Sequence, residues 1–401
     1  MKFLRVIFLL LLIALVWSGK REGAIVSRLQ TEHETLVARA TAIGLPEKES
    51  DDAKAVARTS GRRSTSKPAP EQLKDELVAA FLRLKALESQ TDPDSRLKVE
   101  KEVREWIGRL MDLSPKELKQ VIEGLLDGGV LEPEDRRTLL AVVLSLASSR
   151  QSETAAELYL KHREMVGDGG GIFDSWGGSD PASALAWLEK NRESLGKDHQ
   201  RNLQRTIQAA AARDPALALA ALSNIEDAKD RTATERRLAM SLSDDGARAA
   251  LLAELRTSGL GEEDRTEILR GLGSGQGGRL SQAPGAWMQA LSPAEAVTVT
   301  EGISKSMTSS THPEAWFDWM GKSLPPEQVA DTTKPLLTKW ISDDYAAAGE
   351  WINRQPPGEF RNAAAANYAR TMANRFPDTA KDWANTLPEG PEKRRLLEEI
   401  K

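Results

Sequence analysis

The sequence predicts an all-α fold: an α-solenoid of about seven helical hairpins, each of about 32–34 residues, behind an N-terminal helical cap region and an N-terminal membrane-targeting helix. Three observations predict it. Trp287, Trp319, Trp351 and Trp383 stand 32 residues apart, and a constant interval of that length marks a stacked repeat. A shared frame is clearest at Trp187, Trp319 and Trp383: a proline, a small or apolar residue three positions on, and Trp three further; Trp351 fits it without the proline. Proline turns then follow, at Leu291-Ser292-Pro293, Leu324-Pro325-Pro326, Gln355-Pro356-Pro357 and Leu387-Pro388. Trp187, Ala221 and Ala253 extend the ladder upstream at intervals of 34, 32 and 34.

The N-terminus reads as an address. Lys2 and Arg5 precede an apolar run from Val6 to Trp17, short for a membrane span and suited to the core of an export signal. Residues 1–20 are a signal peptide or a signal anchor. Val16-Trp17-Ser18 offers a poor cleavage site, which leans the reading toward an anchor in the inner membrane. Either places the body in the bacterial cell envelope, on the periplasmic side of the inner membrane or secreted. Residues 21–45 form a helical stalk, with Val26, Leu29, His33, Leu36, Ala40 and Ile43 in steps of three and four. That pattern fits a weak coiled coil or a simple amphipathic helix. Residues 46–70 are rich in Ser, Thr, Asp, Lys and Pro and read as a flexible linker.

Residues 71–168 form an N-terminal helical region without the Trp frame. Helices are expected over Glu71–Ser89, Pro93–Leu113, Pro115–Gly128, Glu132–Ser149 and Glu153–Val166. Gly167 to Gly171 separates this region from the repeat array, residues 169–401. In each repeat, Asp before Pro can cap helix A, as at Asp180-Pro181 and Asp214-Pro215, and Pro suits the first helical turn. His312 takes the same place ahead of Pro313. Residues three apart share a helix face, so the small residue and the Trp form one stripe. A helix B follows the proline turn, for example over Pro326–Ile341 and Gly358–Asn374.

A Trp row at helical spacing packs a core more often than it binds a ligand. Trp187, Trp287, Trp319, Trp351 and Trp383 are accordingly assigned to repeat packing. Trp316, one turn before Trp319, is less constrained by the frame and is the candidate for surface binding.

Composition narrows the chemistry. The chain has no cysteine, which excludes disulfides and thiol catalysis. A net charge of −5 gives no basis for nucleic-acid binding. No two of the four histidines have metal-ligand spacing on one helix. The string Gly273-Ser274-Gly275-Gln276-Gly277-Gly278 lacks the preceding strand of a dinucleotide site; helix is expected over Glu262–Leu272 and loop after it. Acidic pairs such as Asp244-Asp245 and Asp343-Asp344 sit at expected helix starts, where capping accounts for them. No catalytic residue, metal or cofactor is expected.

The Pro-x-x-Ala-x-x-Trp frame with its following Leu-Pro, behind the exported N-terminus and the segment His33, Leu36, Val37, Ala40, resembles an uncharacterised bacterial family of exported α-helical hairpin-repeat proteins. In general form the repeats are similar to tetratricopeptide-like hairpins, although that consensus is not matched. The resemblance implies the fold and carries no catalytic residue. The expected function is a non-catalytic, exported or membrane-anchored scaffold for an unknown protein or peptide. The alternative is a cell-envelope glycan-binding protein or an α/α-type glycan-active enzyme, which needs Trp316, Trp319 and Trp340 exposed beside carboxylates. A third reading is a membrane-tethered assembly factor that oligomerises through Glu22–Leu45.

Overall fold

A computed structural model describes residues 69–87, 105–127, 129–167, 169–277, 283–306 and 313–400. The targeting segment, the stalk, nearly all of the linker and His312 lie outside the described residues. The chain is all-helical, and no strand occurs among the described residues. No helix among them is long and apolar enough to cross a membrane.

The N-terminal region holds α1 (Pro70–Leu87), a helical stretch at 105–111, α2 (Pro115–Asp127), α3 (Pro133–Ala147) and α4 (Ser152–Val166). Then come α5 (Gly170–Ser179), α6 (Pro181–Lys190), the short α7 (Arg192–Leu195), α8 (Asp198–Ala210), α9 (Pro215–Ala221), α10 (Ala228–Met240) and α11 (Asp245–Thr257). The last part holds α12 (Glu262–Gly277), α13 (Pro293–Ser306), α14 (Glu314–Ser323), α15 (Pro326–Asp343), α16 (Tyr345–Arg354), α17 (Glu359–Met372), α18 (Pro377–Asn385) and α19 (Pro391–Glu399). Short 3-10 turns stand at Leu222–Asn224 and Ala286–Ala290. The expected glycine break is not a separation: Gly170 begins α5, which packs on α3 and α4, and one apolar core runs from Leu73 to Ile400.

The helix-to-helix corner is visible as local geometry. Asp180, Asp214, Asp344 and Phe376 share one backbone conformation, with φ of −145°, −142°, −146° and −141° and ψ of 78°, 78°, 83° and 72°. Each N–H donates back to the last turn of the preceding helix, to Trp176, Ala210, Trp340 and Met372 respectively. At the three aspartates the side chain also accepts from the first turn of the next helix, on Ser183, Leu217 and Ala347. At Asp180 and Asp344 this one residue alone separates the two helices, while a three-residue turn precedes Asp214 and Phe376. At Phe376 the ring packs against Tyr345 instead, with centroids 5.2 Å apart. Changing Asp214 to Ala leaves the Leu217 N–H without its acceptor. Denaturant titration should show a loss of about 1 kcal/mol; an unchanged midpoint would show that the cap contributes nothing.

Helices contact their neighbours in chain order. The row α5, α8, α10, α12, α13, α15, α17, α19 is in contact throughout, each member with the next. The helices α6, α9 and α11 form a second row that continues onto the Ala286–Ala290 turn. The first row is the closer-packed, because glycine lets its backbones approach. A Cβ on Gly177 would lie 2.7 Å from the Thr206 carbonyl of α8, and one on Gly302 would lie 2.2 Å from that of Arg270 on α12.

Two expectations are corrected here. The glycine string is not a loop: α12 continues to Gly277, with Gly271 and Gly275 against α10 and Gly273 against α13. A stripe of small residues on two faces lets both neighbours close in, which offsets the poor helix propensity of glycine. The upstream ladder is also uneven. Asp244 caps α11, and the position seven residues beyond it is the buried Leu251, whereas Ala253 is exposed. Trp287 sits in a 3-10 turn rather than an α-helix, so this unit has a shortened first helix.

Candidate functional site

Trp187, Trp287, Trp319 and Trp351 are buried in the core. Trp187 meets Phe173 and Trp176 at 5.8 and 6.0 Å between centroids. Trp351 lies between Phe317 at 5.1 Å, Trp340 at 5.7 Å and Phe360 at 5.9 Å. Its indole Nε1 donates to Asp318 of α14 at 3.2 Å, tying two units together. Trp287 and Trp319 are buried, and Trp383 is half-buried against Tyr368, 4.5 Å away. Trp316 is a correction. It is only 1% exposed, among the most deeply buried large side chains, so it offers no surface. Its position falls on the inner face of α14 beside Phe317, Trp319 and Met320, because α14 buries a wide face rather than one narrow stripe. Trp319 and Trp340 are 5% and 2% exposed, so the exposed-tryptophan groove required by the glycan alternative is not present.

Polar chemistry gathers on the first row. Arg205 of α8 donates to Asp174 of α5 at 3.4 Å. Arg236 of α10 donates to Glu267 of α12, with Nε at 3.1 Å. Arg270, one turn on, bridges Glu267 at 2.8 Å and Glu301 of α13 at 3.1 Å. Burial pushes the Glu267 carboxyl up, and the Arg236 and Arg270 hydrogen bonds overcome that and hold it below its ordinary range. These partners lie 31 residues apart, close to the repeat length. Single exposed ion pairs add little stability, so the ladder matters more for alignment than for energy.

The row ends in an open groove of about 450 Å³ between α15, α17 and α19. Its floor is apolar and small, with Ala330, Leu337, Phe360, Ala363 and Ala364. Its rim carries the cations Lys334, Arg370 and Arg395 and the anions Asp331, Glu392 and Glu399. Arg370 pairs with Glu392 and stands 3.9 Å from Glu399, which also meets Arg395 at 3.4 Å. Asn367 clasps the two longer helices, donating to the Lys334 carbonyl at 3.3 Å and accepting from Thr338 at 3.1 Å. Pro335 stands inside α15 and has no N–H to donate to the Asp331 carbonyl. α19 is short, 9 residues against 14 in α17, and so leaves part of α17 uncovered.

Among the described residues, no group of three or more His, Asp and Glu side chains could hold a metal. His162 and His199 are each lowered in pKa, chiefly by burial. The paired acids divide as their positions dictate. Asp244 and Asp344 are caps, Asp343 pairs with Lys339, and Asp245 meets the buried Arg248 at 2.9 Å. The ladder and the groove escaped the sequence reading. The arginine and glutamate spacing was available as a signal; the groove depends on where α19 ends.

Fold and site together define an all-helical protein with a polar ladder along one row of helices. No family model matches the chain, and neither a curated protein nor a solved structure matches it.

Proposed function

We propose that this chain is a non-catalytic helical-repeat scaffold, an α-solenoid whose first row of helices is its inner surface and binds a protein or peptide. Contacts between successive neighbours support the solenoid reading. In a curved stack the inner layer has the shorter arc, and the first row is the one whose backbones approach through glycine. The observation that carries the binding role is the groove between α15, α17 and α19. It combines a small apolar floor with both charge signs on its rim. Such a surface suits a peptide backbone with mixed side chains better than a small apolar ligand. The apolar run within residues 1–20 supports export or anchoring in the inner membrane, which places the partner in the cell envelope.

Filling the groove tests this. Ala363→Trp projects a large ring into it from a half-buried position. The full chain should capture a defined partner from envelope extract, and Ala363→Trp should lose it while melting within a few degrees of the parent. Capture of the same partner by both proteins would remove the groove from consideration.

A further inference from the structure

We propose that a second cleft, between α4 and the joint of α6 and α7, binds an oxyanion: the carboxylate or phosphate of a small organic acid.

The cleft has a volume of about 420 Å³ and shares no residue with the groove between α15, α17 and α19. Leu160 of α4 and Trp187 of α6 give it an apolar wall. Its charged lining among the described residues is Glu157, Lys161, Arg163 and Lys190. The backbone of α4 is bent in a way that assembles this set. Glu157, Leu160 and Lys161 follow the three-and-four spacing of one helix face. In a regular helix, at about 100° per residue, Arg163 would stand roughly 200° from Lys161 and face away. α4 leaves helical geometry at His162, between those two residues, with φ −120° and ψ 23°. Lys161 and Arg163 accordingly line the same cleft.

The guanidinium is held in place without being neutralised. Arg163 Nη1 donates to the carbonyls of Ser194 and Leu195 at the end of α7, at 2.6 and 3.1 Å. Both acceptors are uncharged, and Arg163 meets no carboxylate among the described residues. Lys190 meets no acceptor among them. The end of α6 does not call on it, because Asn191 closes that end on the Trp187 carbonyl, through Nδ2 at 2.8 Å and its backbone N–H at 3.0 Å. Lys161 meets Glu123 at 3.3 Å, an exposed pair that holds neither partner strongly. Glu157 lies six residues before Arg163, about 9 Å away along the helix. Two unopposed cations therefore gather where α6 meets α7, beside an apolar wall. An oriented guanidinium matches a carboxylate or phosphate, and the wall suits an apolar body behind it.

Isothermal titration calorimetry on the full chain tests the site with phenylacetate, phenyl phosphate and the neutral benzyl alcohol. An acid should bind where the alcohol does not, and the tighter of the two acids identifies the oxyanion. Lys190→Glu should weaken that acid about tenfold while melting with the parent, since Lys190 holds no other group. Lys190→Gln removes the charge without reversing it. It should weaken binding about threefold, and gives the same answer should the reversal disturb the melt. Binding of neither acid would overturn the proposal. So would an alcohol that binds as tightly as the acids, or an affinity that neither Lys190 substitution lowers.

Discussion

Trp351→Ala should cost about 3–5 kcal/mol, the range for deleting a buried aromatic side chain. The indole fills the space between Phe317, Trp340 and Phe360 and also carries the hydrogen bond to Asp318. Its removal opens a cavity spanning two units and leaves the exposed Asp318 to water. Because the helices here contact their neighbours in chain order, the loss should concentrate in α14 to α17. Hydrogen exchange should show that localisation, and urea titration its size. Trp383→Ala should lose roughly half as much, since Trp383 is only half-buried. A loss for Trp351→Ala below about 1 kcal/mol would mean that this Trp is not a packing residue.

Gly273→Ala should destabilise the chain, although alanine is the better helix former by about 1 kcal/mol. A Cβ on Gly273 would stand 2.0 Å from the Val299 carbonyl oxygen and 3.1 Å from the Ile303 nitrogen. These are backbone atoms of α13 and cannot swing aside. The two helices must part, at a cost of about 1–3 kcal/mol or more. Gly321 on α14 is the control: nothing lies within 4 Å of the added Cβ. Gly321→Ala should therefore raise stability by about 0.5–1 kcal/mol. Opposite signs for the two substitutions in thermal melts are the expected result. Equal signs would show that helix propensity, not close approach, decides the behaviour of these glycines.

Much of the fold was legible because its signals are local. An aspartate before proline dictates a helix start from the chemistry of four residues, and Asp180 and Asp214 behave accordingly; Asp344 caps its helix without the proline. The tryptophan interval needed only counting. Features that depend on a neighbouring helix were not legible. Gly273 and Gly275 read as loop because intrinsic propensity disfavours glycine, and only α10 and α13 show why helix wins. Ala253 kept the count but lost the place, because Asp244 sets the start of α11 and the insertion falls later, before Trp287. Trp316 looked free of the frame, yet α14 buries Trp316, Phe317, Trp319 and Met320 together. The candidate groove was beyond sequence reading, since it arises from the unequal lengths of α17 and α19.

The irregular unit around Ala286–Ala290 bears on how such a chain finds its native pairing. Near-identical modules invite mistakes during folding, because any one can dock on a wrong copy of its proper mate. Here the modules are not interchangeable. Beyond α6, α9 and α11 the second row continues onto a 3-10 turn, Ala286–Ala290, instead of a helix, and α12 carries three glycines aimed at two different partners. A module sliding by one turn, about 5.4 Å, would drive side chains into those glycine seats and mismatch the arginines. The unevenness that blurs the periodic count therefore works as an internal postmark, fixing which module belongs beside which.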